Sequence, residues 1–318
     1  MKILITDKMA EEAVKRLEAA GHDVTFDEMD HDALLDAIDA YDGLMIRSRT
    51  KVTEYIVRKG AKGKLKVIGR VGIGVDNIDI KTAGSLGIKV VNAPTGATIS
   101  VAELAIAHML SLSRHLTKAD RTMKQGEWIK KQLKGSELYG KTLGLVGCGN
   151  IGQKTAQLAQ AFGMTVIGFD PFLSKESLEK QNITKLETLE GVIKSSDIIS
   201  LHLPHTERTH YIIDSSMLSQ MKSSALLINC ARGGTVDEAA LYDALKKGKI
   251  AGAALDVFEK EPPGETKLAN LENIVLTPHI GASTTEGQIR AGTVCAEQVI
   301  KVLNDETPDH WVNKAMIA

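Results

Sequence analysis

Near the middle of the chain, Gly147-Cys148-Gly149-Asn150-Ile151-Gly152 spells G-x-G-x-x-G at a change of periodicity. The run Thr142–Val146 before it reads as a strand, and Ile151–Phe162 after it reads as a helix. A second strand-like run, Thr165–Phe169, ends in Asp170, 18 residues beyond Gly152. Each part answers a physical need. Gly147 permits a tight turn, Gly149 lets backbone approach a diphosphate, and Gly152 allows close helix–strand packing. The helix start offers free amides and a positive dipole end to phosphate oxygens. An acid at Asp170 suits ribose hydroxyls and repels a 2′-phosphate, which predicts NAD rather than NADP.

The sequence around this motif is alternating α/β. At 318 residues the chain has room for about two domains of ~150 residues. Lys2–Thr6, Val24–Phe26, Leu44–Arg47 and Leu65–Gly69 read as strands, with helices over Met9–Ala20, 31–40 and 53–60. Ser100 and Glu103 have capping-box spacing before an apolar stripe that includes Val101, Ala105, His108 and Met109. His108 on that stripe reads as packed or interfacial. A second α/β series follows, with apolar runs at 142–146, 165–169, 197–203, 224–229, 250–258 and 274–277. Ser283 and Glu286 then repeat the capping pattern before a helix of roughly twenty residues. Short strands alternating with helices predict parallel sheets covered on both faces.

Composition narrows the partners. Lys and Arg number 39 against 40 Asp and Glu, a net charge of −1, so no long-range field draws the chain to nucleic acid or anionic lipid. Aromatic residues are 4% of the chain, too few for a base-stacking platform. No apolar run approaches the ~20 residues of a membrane helix, and the N-terminus enters strand-like sequence directly, without a signal peptide. Three scattered cysteines suggest neither a disulfide framework nor a zinc site. His202, His205 and His210 cluster without a carboxylate at metal-ligand spacing, so no metal is expected. The expectation is a cytoplasmic protein acting on small molecules.

In an open parallel sheet, ligands bind beyond the carboxyl ends of the strands. Three of the later runs are followed there by chemically capable residues. These are Cys230-Ala231-Arg232, then Asp256 with Glu259-Lys260-Glu261, then Pro278-His279-Ile280-Gly281. A guanidinium holds a carboxylate in bidentate geometry. An imidazole exchanges the proton of a hydroxyl, and a carboxylate beside it fixes its tautomer. The set suits hydride transfer at a 2-hydroxy or 2-oxo acid. Glu261 in its acidic loop has a plainer alternative as a solvated charge, and Asp256 reads as a cofactor-side hydrogen bonder. A second glycine turn, Gly72-Ile73-Gly74-Val75-Asp76-Asn77, has Asn77 where a third glycine would stand. It reads either as a nest for a carboxylate or as plain turn chemistry.

With these residues in hand, the chain resembles the D-isomer-specific 2-hydroxyacid dehydrogenase family, and within it the phosphoglycerate branch. The stretches N-C-A-R-G-G-T-V-D-E-A-A-L (229–241), D-V-F-E-K-E-P-P (256–263) and P-H-I-G-A-S (278–283) carry the resemblance. It implies two doubly wound parallel-sheet domains. One is a discontinuous flavodoxin-like substrate domain of residues 1–96 and 283–318; the other is a Rossmann NAD-binding domain of residues 97–282. It implies Arg232, Glu261 and His279 as the catalytic set. At the cofactor it puts Gly147, Gly149, Asn150, Ile151, Gly152, Asp170, Leu203, Pro204, Cys230, Ala231, Arg232, Asp256, His279 and Gly281. On the substrate side it implies Arg47, Ser48, Arg70, Gly72, Ile73 and Gly74, with Arg232 and His279. Arg49 and Lys130, Lys131 and Lys134 are further candidates for a phosphate-binding surface. The implied reaction is NAD-dependent oxidation of 3-phosphoglycerate to 3-phosphohydroxypyruvate, opening serine synthesis. The alternatives are a glyoxylate or hydroxypyruvate reductase, or a non-catalytic NAD-responsive protein of the corepressor kind. A homodimer, or a dimer of dimers, formed through the helix near Ser100 is implied as well. The C-terminal serine-sensing domain of longer relatives is expected to be absent.

Overall fold

The computed structural model describes residues 1–317. The chain divides into two compact units, residues 1–98 with those from 282 onward, and residues 99–281. In the first unit, β1 (Lys2–Ile5), β2 (Asp23–Phe26), β3 (Gly43–Ile46), β4 (Val67–Arg70) and β5 (Lys89–Asn92) form one parallel sheet. Its order, β2-β1-β3-β4-β5, is that of flavodoxin-like folds.

The period of two along these strands sorts their side chains to two faces. Ile3, Ile5, Met45 and Val67 pack with Ala13 and Leu17 of α1 (Glu11–Ala19) and with Cys295 and Val299 of α12 (Thr285–Leu303). Leu4, Leu44, Ile46 and Ile68 pack on the other face, against Leu34 of α2 (His31–Ala37), Ile56 and Val57 of α3 (Glu54–Lys62) and Ala83 of α4 (Ile80–Ser85). Burial on both faces explains why β1 and β3 are apolar almost throughout. Helix α12, from the far end of the sequence, covers the same face as α1, so residues nearly three hundred positions apart share one core. Each fully buried Leu or Ile there contributes about 1.5–3 kcal/mol.

In the second unit, seven parallel strands run in the order β12-β11-β10-β9-β6-β7-β8. They are β6 (Thr142–Val146), β7 (Thr165–Phe169), β8 (Thr184–Lys185), β9 (Ile198–Leu201), β10 (Leu226–Asn229), β11 (Gly252–Leu255) and β12 (Ile274–Leu276). The order reverses between β6 and β9, and because every pair is parallel, all carboxyl ends lie along one edge. Helices α5 (Thr98–Arg114), α6 (Leu116–Lys124), α7 (Asn150–Ala161), α8 (Lys175–Glu179), α9 (Leu189–Ser195), α10 (Ser215–Gln220) and α11 (Glu238–Lys246) complete it. The buried face of α7 is Gly152, Thr155, Ala156 and Ala159, small residues that let the helix lie close on the sheet.

The local signals missed in several places. Helix α5 begins at Thr98, so Ser100 is buried inside the helix rather than capping it. At α12 the cap is Thr284, whose Oγ1 accepts from the Gly287 amide at 3.0 Å, one residue beyond Ser283. Adjacent hydroxyl residues offer the same chemistry, and the path of the chain selects between them. Strand β5 was not anticipated, because Lys89 and Asn92 leave only two apolar residues in it. Among the described residues, no helix is long and apolar enough to cross a membrane.

Candidate active site

The point where the strand order reverses is framed by the G-x-G-x-x-G turn after β6 and by His202-Leu203-Pro204 after β9. Gly147 has φ +89°, and a Cβ there would stand 2.5 Å from the carbonyl oxygen of His202. A Cβ on Gly152 would stand 2.5 Å from the carbonyl oxygen of Gly147. Only glycine fits either position. At Gly149, by contrast, a Cβ would meet no atom of the chain within 4 Å. That open space at the N-terminus of α7 fits a diphosphate lying against the Asn150 and Ile151 end of the helix.

Asp170, nearly buried at the end of β7, locks this turn. Its Oδ2 accepts from the Cys148 amide at 2.9 Å, and its Oδ1 accepts from the amides of Phe172 and Leu173 at 2.9 and 3.2 Å. The carboxylate thus orients the fingerprint turn. Burial pushes the Cys148 thiol up to about 12 and drives the Cys230 thiol up too, so neither is a thiolate at neutral pH. His202 sits beneath the turn. Its Nε2 bonds Ser200 Oγ at 2.9 Å, its Nδ1 is sealed off, and burial holds its pKa down to about 4.

Three loops past β10, β11 and β12 interlock. The buried Asn229 side chain organises the first: its Oδ1 accepts from the Ala231 amide at 3.0 Å, and its Nδ2 donates to Arg232 O and Thr235 Oγ1, both at 3.1 Å. A Cβ on Gly233 would land on the Phe258 carbonyl, so the Arg232 loop rests directly on backbone of the second loop. In that second loop Glu261 Oε1 accepts from the Phe258 amide at 3.1 Å, while Oε2 meets His279 Nδ1 at 2.7 Å. Burial pushes the Glu261 carboxyl up, but the His279 hydrogen bond and charge, the Phe258 amide and the nearby Arg232 outweigh it and hold it below the usual value. Both side chains remain partly open to solvent.

Asp256, almost wholly buried, anchors the third loop. Its Oδ1 accepts from Thr277 Oγ1 at 2.6 Å and the Ile280 amide at 2.8 Å, and its Oδ2 accepts from the Gly281 amide at 2.8 Å. These bonds hold His279 at φ +53°, a left-handed conformation that costs a non-glycine residue energy. Asp256 therefore anchors the His279 turn. Asn229 was missed, although a polar residue closing the run Leu226–Asn229 was the available signal. Thr277 and His108 were missed as partners, since only the fold brings them together.

Within the first unit, the buried Asp7 carries the loop after β3. It accepts from the Arg47 amide at 2.5 Å, the Thr50 amide at 3.3 Å and Arg49 Nε at 2.9 Å. The Arg49 guanidinium also bonds the Thr6 carbonyl, which ties this half-exposed side chain to the same framework. Arg47 Nη1 bonds Lys8 O at 3.0 Å, and Ser48 is exposed beside it. Arg70 bonds Val71 O at 3.2 Å and lies over Gly72. Asn77 Nδ2 donates to Arg47 O and Thr50 O at 2.7 and 2.6 Å, which is why asparagine rather than a third glycine closes the Gly72–Gly74 turn. Asn92 holds that turn from β5 through Ile73 O at 2.6 Å. In the second unit, Lys130 begins a single 3-10 turn, and Lys131 and Lys134 are exposed.

Residues 106–281 match the model of the D-isomer specific 2-hydroxyacid dehydrogenase NAD binding domain. The chain belongs to this family. The family domain spans the fingerprint, Asp170 and the three interlocked loops, and its cofactor is NAD. The chain is 48% identical over 98% of its length to the D-3-phosphoglycerate dehydrogenase of Methanocaldococcus jannaschii, of which it spans 59%. It is 45% identical over 95% of its length to the hydroxypyruvate reductase of Thermotoga maritima, of which it spans 98%. Among solved structures, the TT0316 protein of Thermus thermophilus superposes with a TM-score of 0.88 at 34% identity, over 98% of this chain and all of that one.

Proposed function

We propose that this member of the family is an NAD-dependent dehydrogenase of D-2-hydroxy acids, with 3-phosphoglycerate as the preferred substrate. The observation that carries the reading is the 2.7 Å contact between His279 Nδ1 and Glu261 Oε2. A carboxylate only accepts, so His279 donates from Nδ1, which in the neutral ring leaves Nε2 as the acceptor. Nε2 takes the proton of the substrate hydroxyl, and Glu261 stabilises the imidazolium that results. Arg232, on the loop seated against Phe258, holds the substrate carboxylate or carbonyl oxygen as a fixed fork. NAD, when bound, supplies the hydride acceptor. Gly147, Gly149 and Gly152 leave room for its diphosphate, Asp170 receives its ribose, and Leu203, Pro204, Cys230, Ala231 and Gly281 line the same strand edge.

The first unit serves as the substrate domain in this reading. Ser48, the Gly72–Gly74 amides, Arg47 and Arg70 are its candidates for the acid and its phosphate. Relatives named D-3-phosphoglycerate dehydrogenase at 42–48% identity support the phosphorylated substrate. Hydroxypyruvate reduction is the second reading, favoured by the near-complete mutual coverage with the Thermotoga maritima relative. A homodimer is part of the proposal, supported by exposed Leu116, Met123 and Trp128 in and after α6. The test compares kcat/KM for 3-phosphoglycerate, glycerate and lactate oxidation with that for hydroxypyruvate reduction, alongside His279→Ala. The proposal expects 3-phosphoglycerate to lead, and His279→Ala to cut kcat by ~10²–10⁴ with NAD binding retained. An unchanged kcat in His279→Ala would overturn the assignment of the base, and hydroxypyruvate in the lead would favour the second reading.

A further inference from the structure

Helix α5 contributes a residue that the mechanism above does not use. His108 is buried, and its Nε2 lies 3.2 Å from Thr277 Oγ1. Thr277 has one hydroxyl proton, and the 2.6 Å contact to Asp256 Oδ1 consumes it, because a carboxylate only accepts. The hydroxyl therefore accepts from His108, which fixes His108 as a donor at Nε2. Burial lowers the pKa of His108, so the ring is held neutral and the Nε2–H tautomer is selected by Thr277. The next links are also explicit. Asp256 takes the amides of Ile280 and Gly281, and those two bonds keep His279 in its left-handed backbone conformation.

We propose that His108 is a positioning residue for the proton transfer, acting through Thr277 and Asp256 on the backbone turn that aims His279. The inference rests on the reading of His279 as the base. Without the His108 donor, the Thr277 hydroxyl is released to rotate, the shortest hydrogen bond to Asp256 is weakened, and the strained turn at His279 gains an escape. His279 then spends less time in reach of the substrate hydroxyl, which lowers kcat while leaving the binding surfaces for NAD and substrate intact.

The test uses the full chain and a double-mutant cycle. His108→Leu keeps the volume and removes the donor; His108→Gln restores an N–H of similar reach; Thr277→Val removes the relay from its other side. The expected result is a fall in kcat of about five- to tenfold for His108→Leu and Thr277→Val, the effect of one lost neutral hydrogen bond. KM and NAD Kd stay within twofold, and His108→Gln recovers most of the loss. In a His279→Ala background, His108→Leu is expected to cost nothing further, because it acts through the residue already removed. An equal fall in both backgrounds, no fall in the wild-type background, or no recovery with Gln would each overturn the proposal. His279→Ala reports separately on the underlying reading: if it leaves kcat unchanged, His279 is not the base. If His108→Leu does not fold, Thr277→Val against Thr277→Ser carries the same comparison with the same outcomes.

Discussion

Alanine at Gly149 and alanine at Gly152 add the same methyl group to one loop, yet the structure predicts different signatures. Gly149 caps α7 with φ −68° and ψ −164°, extended backbone that any residue adopts. A methyl there touches nothing in the chain. Restricting the unfolded chain adds about 0.4–1 kcal/mol of stability, which offsets a loss of similar size from alanine at an N-cap position. Gly149→Ala should thus leave Tm unaltered. The methyl fills the space proposed for the diphosphate, so the Kd for NAD should rise at least about tenfold, or ~1.4 kcal/mol. At Gly152 the methyl would stand 2.5 Å from the Gly147 carbonyl, where real contacts stay above 3.0 Å, and backbone on one side must move. Overpacking of about 1–3 kcal/mol, less about 1 kcal/mol for alanine's helix preference, leaves a net loss of up to ~2 kcal/mol. That is a fall of up to roughly 8 °C in Tm, accompanied by weaker NAD binding because the displaced carbonyl belongs to the turn itself. Thermal unfolding without ligand and calorimetric titration with NAD read the two quantities separately. The reasoning fails if Gly152→Ala keeps both within error, or if Gly149→Ala weakens NAD only as far as it lowers Tm.

Three further outcomes are expected. His202 is held neutral down to about pH 4 against an ordinary 6.5, so the unfolded chain takes up its proton first; stability should fall as pH drops from about 6.5 to 4, by at most about 3 kcal/mol given partial solvent access. Urea unfolding at pH 7 and 4.5 measures this, and His202→Leu should flatten the dependence; an identical slope in the variant refutes the assignment. Asp170→Ser should narrow the preference for NAD over NADP and loosen the Cys148 amide it anchors, and an unaltered cofactor ratio in kcat/KM would mean another group reads the ribose. Glu261→Gln removes the charge beside His279, and the lost charge-assisted bond, discounted for exposure to about 1–2 kcal/mol, predicts a fall in kcat of about 5–30-fold; a change under twofold would make Glu261 a solvated bystander.

The amino-acid sequence by itself determined the local grammar of this protein. Strand runs of period two, helical stripes of period 3.6 and the spacing Gly147, Gly149, Gly152 and Asp170 are short-range properties of the chain, and they predict two parallel α/β folds with a dinucleotide fingerprint. Arg232, Glu261 and His279 were legible as candidates for the same reason, since each follows an apolar run and the carboxyl edge of a parallel sheet is where ligands bind. Tertiary structure decided everything that depends on one strand end meeting another. Asp256 reads from the sequence as a cofactor-side hydrogen bonder, and its anchoring of Thr277, Ile280 and Gly281 appears only where β11 and β12 are adjacent. Arg49 looks like a free cation until Asp7, 42 residues earlier, is found against it. His108 looks like core until α5 is laid beside Thr277, 169 residues away. Hydrogen bonds and steric contacts act over a few ångströms in space with no regard for separation along the chain, so residue types and spacing name the groups available, and the packing of the sheet assigns their partners.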